Sequence, residues 1–184
     1  MAAAFPLGWR HVEPLDLLSA AGHDFPRGRI SEITGTRSSG RTSVLHALLA
    51  ASTGRGEFAA LVDTKDAFDA CSAASVGVEL SKLVWVRCGG NAEHALRAAD
   101  LLIQAGGFGV VALDLAEATP AALNRIPPTA WFRFRRAVES TPTILVVLAD
   151  HPLAKSCSCM TIKMPPRRAL FTGQAPFLLL RAAV

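Results

Sequence analysis

The chain has 184 residues, 51% of them hydrophobic, and a formal net charge of +4. That length is enough for one domain with a full core, and the slight basic excess suits an anionic partner such as a nucleotide or nucleic acid without requiring one. No apolar run reaches the ~18 residues of a membrane span, and Met1-Ala-Ala-Ala-Phe-Pro6 lacks the charged start and long apolar stretch of a secretory signal, so a soluble, cytoplasmic protein is expected.

In chain order, Leu15-Asp-Leu-Leu-Ser-Ala-Ala21, stopped by Gly22, predicts a short helix, and residues 1–24 are expected to form an N-terminal helical cap. Phe25-Pro-Arg-Gly-Arg29 turns into a strand, Ile30-Ser-Glu-Ile-Thr34. A helix follows from Thr42 to about Thr53, with Val44, Leu45, Leu48 and Leu49 at helical spacing. Strands are predicted at Phe58–Asp63, Leu83–Arg87, Phe108–Asp114 and Thr143–Ala149. Helices are predicted at Ala67–Val76, Ala92–Gln104 and Thr129–Ser140. Continuously apolar strands alternating with helices imply a parallel sheet covered on both faces. Met160–Met164 and Pro176–Ala183 read as an antiparallel hairpin closing a core that spans residues 25–184.

Between the first strand and its helix lies Gly35-Thr-Arg-Ser-Ser-Gly-Arg-Thr42, which fits G-x-x-x-x-G-K-[ST] except that Arg41 stands at the lysine position. In such a loop the glycines let successive amides point at phosphate oxygens. Gly35, Ser38, Ser39, Gly40, Arg41 and Thr42 are therefore candidate nucleotide-binding residues, with ATP and Mg²⁺ as the expected ligands. A guanidinium is a broad planar fork where lysine offers a compact charge on a slim stem, so binding is expected to be degenerate. Ligands in open α/β sheets sit beyond the carboxyl ends of the strands. Asp114 falls there and, with Thr42, is the candidate Mg²⁺ holder; Asp63 is a second acid in the same position, and either residue is also a plausible turn acceptor.

Cys71, Cys88, Cys157 and Cys159 lack paired C-x-x-C half-sites, so these cysteines read as small, partly buried residues even with His151 nearby. Trp131-Phe-Arg-Phe-Arg-Arg136 leaves three readings open. It fits an amphipathic core helix with Arg133 and Arg136 on a solvated edge, a partner-docking face, or a single-strand nucleic-acid platform. Phe177-Leu-Leu-Leu180, with Phe177 and Leu179, is a further docking candidate as an edge strand.

The order of these segments, from Phe25–Gly35 through Ser38–Thr42, Leu61–Asp63, Asp69, Leu80–Val84, Glu93–Leu96 and Val110–Asp114, resembles the ATPase core of the RecA recombinase family. With Arg41, the short chain and Asp150-His-Pro-Leu153, it looks most like the RecA-related accessory proteins called ImuA. The resemblance implies a RecA-like three-layer α/β core and a role in DNA repair and SOS-induced translesion mutagenesis, with RecA and a translesion polymerase accessory protein as partners. It also places Lys65 where RecA carries the glutamate that orients the attacking water, and a protonated amine cannot accept that proton. Leu115–Thr129 is too short for RecA's long DNA-binding loops. Efficient ATP hydrolysis, filament formation and strong direct DNA binding are therefore not expected.

Overall fold

The computed structural model describes residues 17–166, 169–172 and 179–182. Six strands form one sheet in the order β5-β4-β6-β7-β3-β8, and every pairing in it is parallel. These are β3 (Ile30–Gly35), β4 (Phe58–Asp63), β5 (Leu83–Arg87), β6 (Phe108–Asp114), β7 (Ile144–Ala149) and β8 (Ser158–Met164). β7, flanked by β6 and β3, is buried along its whole length.

Alternate residues of the strands feed two cores. Val62, Val111, Leu113, Leu145 and Val147 pack on the face covered by α3 (Ala92–Ala105), α4 (Pro120–Asn124) and α5 (Pro128–Val138). Leu61, Val110, Ala112, Val146 and Leu148 pack on the other face with Val44, Leu45, Leu48 and Leu49 of α1 (Arg41–Gly54) and Ala73 of α2 (Ala70–Ser75). The result is a three-layer α/β core. Each fully buried leucine or valine contributes roughly 1.5–3 kcal/mol by leaving water.

Two expectations are corrected. Leu17–Ala20 (β1) is a strand, not a helix, and pairs antiparallel with His23–Pro26 (β2). Leu18 and Ala20 are buried while Leu17 and Ser19 are exposed, which is the period of a strand. Ala21 and Gly22, both at positive φ, make the two-residue turn that a hairpin needs, so Gly22 reverses the chain instead of ending a helix. The rest of the expected N-terminal cap, residues 1–16, lies outside the described residues.

At the other end, Ser158–Met164 is not half of an antiparallel hairpin but the parallel edge strand beside β3, anchored by buried Ile162. The small antiparallel pair is formed by β9 (Ala169–Thr172) and β10 (Leu179–Ala182). Two helix ends also shift: the predicted Ala67–Val76 begins only at Ala70, because the Asp69 carboxylate caps it by accepting from the Cys71 amide at 3.0 Å. The predicted Thr129–Ser140 runs Pro128–Val138, with proline in its first turn.

A candidate phosphate loop and its ion pairs

β3 ends at Gly35, and the chain turns through residues 36–40 into α1. The turn is closed by the Ser39 amide donating to the Thr36 carbonyl at 3.2 Å. Gly40 sits at φ +93 as the N-cap of α1, a conformation that costs a side-chain-bearing residue energy, and Ser38 adopts φ +62. A Cβ on Gly35 would lie 2.5 Å from Ser39 Oγ and 2.7 Å from the Met164 carbonyl oxygen, so this glycine lets β8 and the loop approach. No acid occupies the first turn of α1, and the N-cap makes no side-chain hydrogen bond. The helix start thus keeps the amides and dipole that favour an anion. Thr42 is exposed at this mouth, whereas Ser39 is buried and its hydroxyl has no hydrogen-bond partner.

Arg41 does not point its charge outward. Its side chain is 7% exposed. Nη1 donates to the Gly35 carbonyl and, at 2.5 Å, to Asp150 Oδ1; Nη2 donates to Glu117 Oε1 at 3.2 Å. Arg37 Nε approaches the same Glu117 oxygen at 3.4 Å. The guanidinium therefore ties the head of the loop to the segments that follow β6 and β7. Two arginines face two carboxylates, so the positive charge that a triphosphate would meet is already neutralised. A guanidinium held by several charge-assisted hydrogen bonds is costly to withdraw.

The acids at the strand ends differ in support. Asp63 is buried and accepts from the Lys65 amide at 3.2 Å, the Phe68 amide at 2.9 Å and Trp85 Nε1 at 3.3 Å. It fastens the turn after β4. Asp114 accepts one amide, from Ala116 at 2.9 Å. Burial raises its carboxyl to about 6, the Ala116 hydrogen bond opposes that rise, and the nearby Asp63 charge adds to it.

Lys65 is exposed, with its ammonium near Gly90: a Cβ there would lie 3.6 Å from Nζ. The adjacent acid, Asp66, is drawn to Arg87 at 3.1 Å.

The other sequence candidates lie apart from the loop. Trp131, Phe134 and Val138 form the buried face of α5, with the Trp131 and Phe134 rings edge-to-face at 5.9 Å. Arg133 donates to Asp100 at 3.2 Å and lies over the Phe134 ring, while Arg136 is exposed. Leu179 begins β10, pairing with Thr172, and Phe177 lies outside the described residues. Among the described residues, no group of His, Cys, Asp and Glu is arranged to hold a metal ion. None of their helices is long and apolar enough to cross a membrane.

Sequence reasoning missed Glu117 as a partner of Arg41. It also missed Glu32, fully buried in β3, whose Oε1 accepts the Leu153 and Ala154 amides at 2.6 and 2.8 Å. A glutamate in the middle of the strand that leads into the loop was the available signal for Glu32. The position of Glu117, three residues past a strand-terminal aspartate, was the signal for the other.

The family model of the RecA N-terminal domain matches residues 13–124. The chain is 38% identical over 99 residues to Protein RecA of Bacteroides thetaiotaomicron, covering 53% of this chain and 30% of that protein. It is 40% identical over 109 residues to Protein RecA of Methylococcus capsulatus, covering 59% of this chain and 31% of that protein. The chain thus matches about a third of the length of these relatives. The crystal structure of the RadB recombinase superposes with a TM-score of 0.59 at 16% identity, covering 77% of each chain, which establishes the likeness of fold.

Proposed function

Because this chain belongs to the RecA N-terminal domain family, we propose that it is an accessory protein of DNA repair and SOS-induced translesion mutagenesis, of the ImuA kind, acting by binding RecA or a polymerase accessory protein. The observation that carries this reading is the commitment of Arg41 to the Gly35 carbonyl, Asp150 and Glu117. In that arrangement the residue at the lysine position serves the fold instead of a phosphate. The backbone of the loop, with Thr42 and Asp114, suits a magnesium nucleotide, but Arg41 and its two carboxylates do not, and no catalytic step is derived through ATP. Lys65 at the position of the water-orienting glutamate points the same way. Direct DNA binding is proposed to be weak, since the segment between β6 and α5 is filled by the short helix α4.

Two measurements test the reading. Calorimetry with ATP and Mg²⁺ should give little or no binding heat, and steady turnover near ~1 s⁻¹, the lower end of common enzyme rates, would overturn it. In cells exposed to DNA damage, pull-down should recover RecA or translesion polymerase components. Their consistent absence, with normal damage-induced mutation frequency in a deletion strain, would reject the adaptor role. A second reading, a slow RecA-like ATPase in repair or recombination, draws on exposed Thr42 at the start of α1 and on Asp114 at the end of β6.

A further inference from the structure

The loop that follows β7 and the turn joining α4 to α5 enclose a cleft of about 440 Å³, within the size range of ligand-binding pockets. Its wall is apolar: Leu123, Ile126, Trp131, Phe132 and Leu153 line it. Phe132 is 53% exposed at its edge, an unusual position for a phenylalanine on a helix whose other aromatic residues are buried. Polar and basic side chains line the cleft as well: exposed Lys155 with His151 and Ser156, and no carboxylate among the described residues.

The rim is held in place. Buried Glu32 fixes the loop backbone through the Leu153 and Ala154 amides. The next residue, Lys155, is at φ +49, a left-handed conformation that is unfavourable for a non-glycine residue. Strain of this kind persists where the surroundings over-determine it, and it is a pointer to function when it sets the direction of a side chain beside a cleft.

We propose that this cleft binds an acidic linear segment of a protein partner, with a leucine or phenylalanine anchor seated between Phe132 and Leu153 and a flanking carboxylate facing Lys155. The charge of the rim selects the acidic flanks, and the apolar wall selects the anchor. A nucleic-acid strand fits less well. Base stacking needs open aromatic faces and a track of cations, but Trp131 is buried edge-to-face against Phe134 and, among the described residues, Lys155 is the one lysine lining the cleft. The inference rests on the adaptor reading in taking the occupant from a protein.

The test is titration of the ¹⁵N-labelled full chain with a synthetic decapeptide carrying a Leu-Phe pair between two acidic pairs. The same peptide with lysine flanks and a poly-dT oligonucleotide serve as competitors. The expected result is a salt-weakened interaction tighter than about 1 mM, with amide shifts confined to residues 123–132 and 151–157. Phe132→Ala and Lys155→Glu should each weaken it about tenfold. Lys155→Gly, which accepts the left-handed backbone while removing the charge, should weaken it without moving amides elsewhere. Equal binding of the lysine-flanked peptide, tighter binding of poly-dT in the cleft, shifts located elsewhere, or no interaction at about 1 mM would each overturn the proposal. The two readings fail separately. Rapid ATP turnover with intact peptide binding would remove the adaptor role and leave the cleft, whereas recovery of cellular partners by a chain that ignores the peptide would remove the cleft and leave the adaptor.

Discussion

Asp63 and Asp114 stand opposite each other in register at the ends of β4 and β6, yet three donors hold the first carboxylate and one holds the second. The poorly supported member is the one whose carboxyl burial raises to about 6 from an ordinary 3.8.

Stability should follow that difference with a definite sign. A raised carboxyl means that the folded chain keeps its proton longer than the unfolded chain, so stability falls as pH climbs from about 4 through about 6. Asp114→Asn removes this loss while keeping an acceptor for the Ala116 amide. Urea denaturation should find the variant more stable above pH 6 by about 1–3 kcal/mol, the upper figure corresponding to a two-unit shift. The gap should close below pH 4. A variant less stable at pH 8 would show that the ionised carboxylate is needed.

Arg41→Lys exchanges a fork that reaches three acceptors for a single ammonium that cannot hold them all. ATP–Mg²⁺ binding by calorimetry should become at least about tenfold tighter, ~1.4 kcal/mol. Turnover should stay negligible until Lys65→Glu is added to the same chain. Unchanged affinity in Arg41→Lys would mean that Glu117 and Asp150 alone repel the nucleotide.

Glu32→Ala leaves the Leu153 and Ala154 amides without their acceptor in a buried setting. A loss of about 2–4 kcal/mol is expected, since each hydrogen bond to a charged group is worth roughly 1.5–3 kcal/mol and partial repair by water is available. Hydrogen exchange should accelerate first at those two amides. Retained protection there would assign the loop another anchor.

His46 is buried on α1 with Nε2 lacking a hydrogen-bond partner, and its ring meets Phe68 edge-on at 5.7 Å. Burial lowers its proton affinity, opposed by the charge of Asp69. The unfolded chain therefore takes up the proton first, and stability drops as pH falls below 6.5, the ordinary value. Thermal melts of His46→Phe should lose this acid sensitivity below pH 6.5; an unaltered pH profile would place the sensitivity elsewhere.

Sequence patterning located the inner elements well because β4, β6 and β7 are apolar runs that end at or just before an aspartate, and because α1, α3 and α5 carry their apolar residues on one face. It failed at both ends for a shared reason. Leu17–Ala20 is four residues long and satisfies more than one period, while Met160–Met164 reads as a strand but is given the wrong partner; in both cases only the neighbouring chain decides, β2 in one and the open side of β3 in the other. At the site, the loop residues were legible from their local pattern, as was Asp114 from its strand. The direction of Arg41 was not, since its carboxylate partners lie 76 and 109 residues away, and no local pattern encodes that meeting.

The packing around Gly35 bears on how such motifs are read. Its missing Cβ is required by the Met164 backbone and by Ser39, both parts of the chain itself. A lineage that abandoned nucleotides altogether would still be held to glycine here by sterics alone. The first glycine of the motif in this protein therefore testifies to the seam between two strands, and evidence of a bound phosphate must be sought in residues that the seam does not constrain, Thr42 foremost.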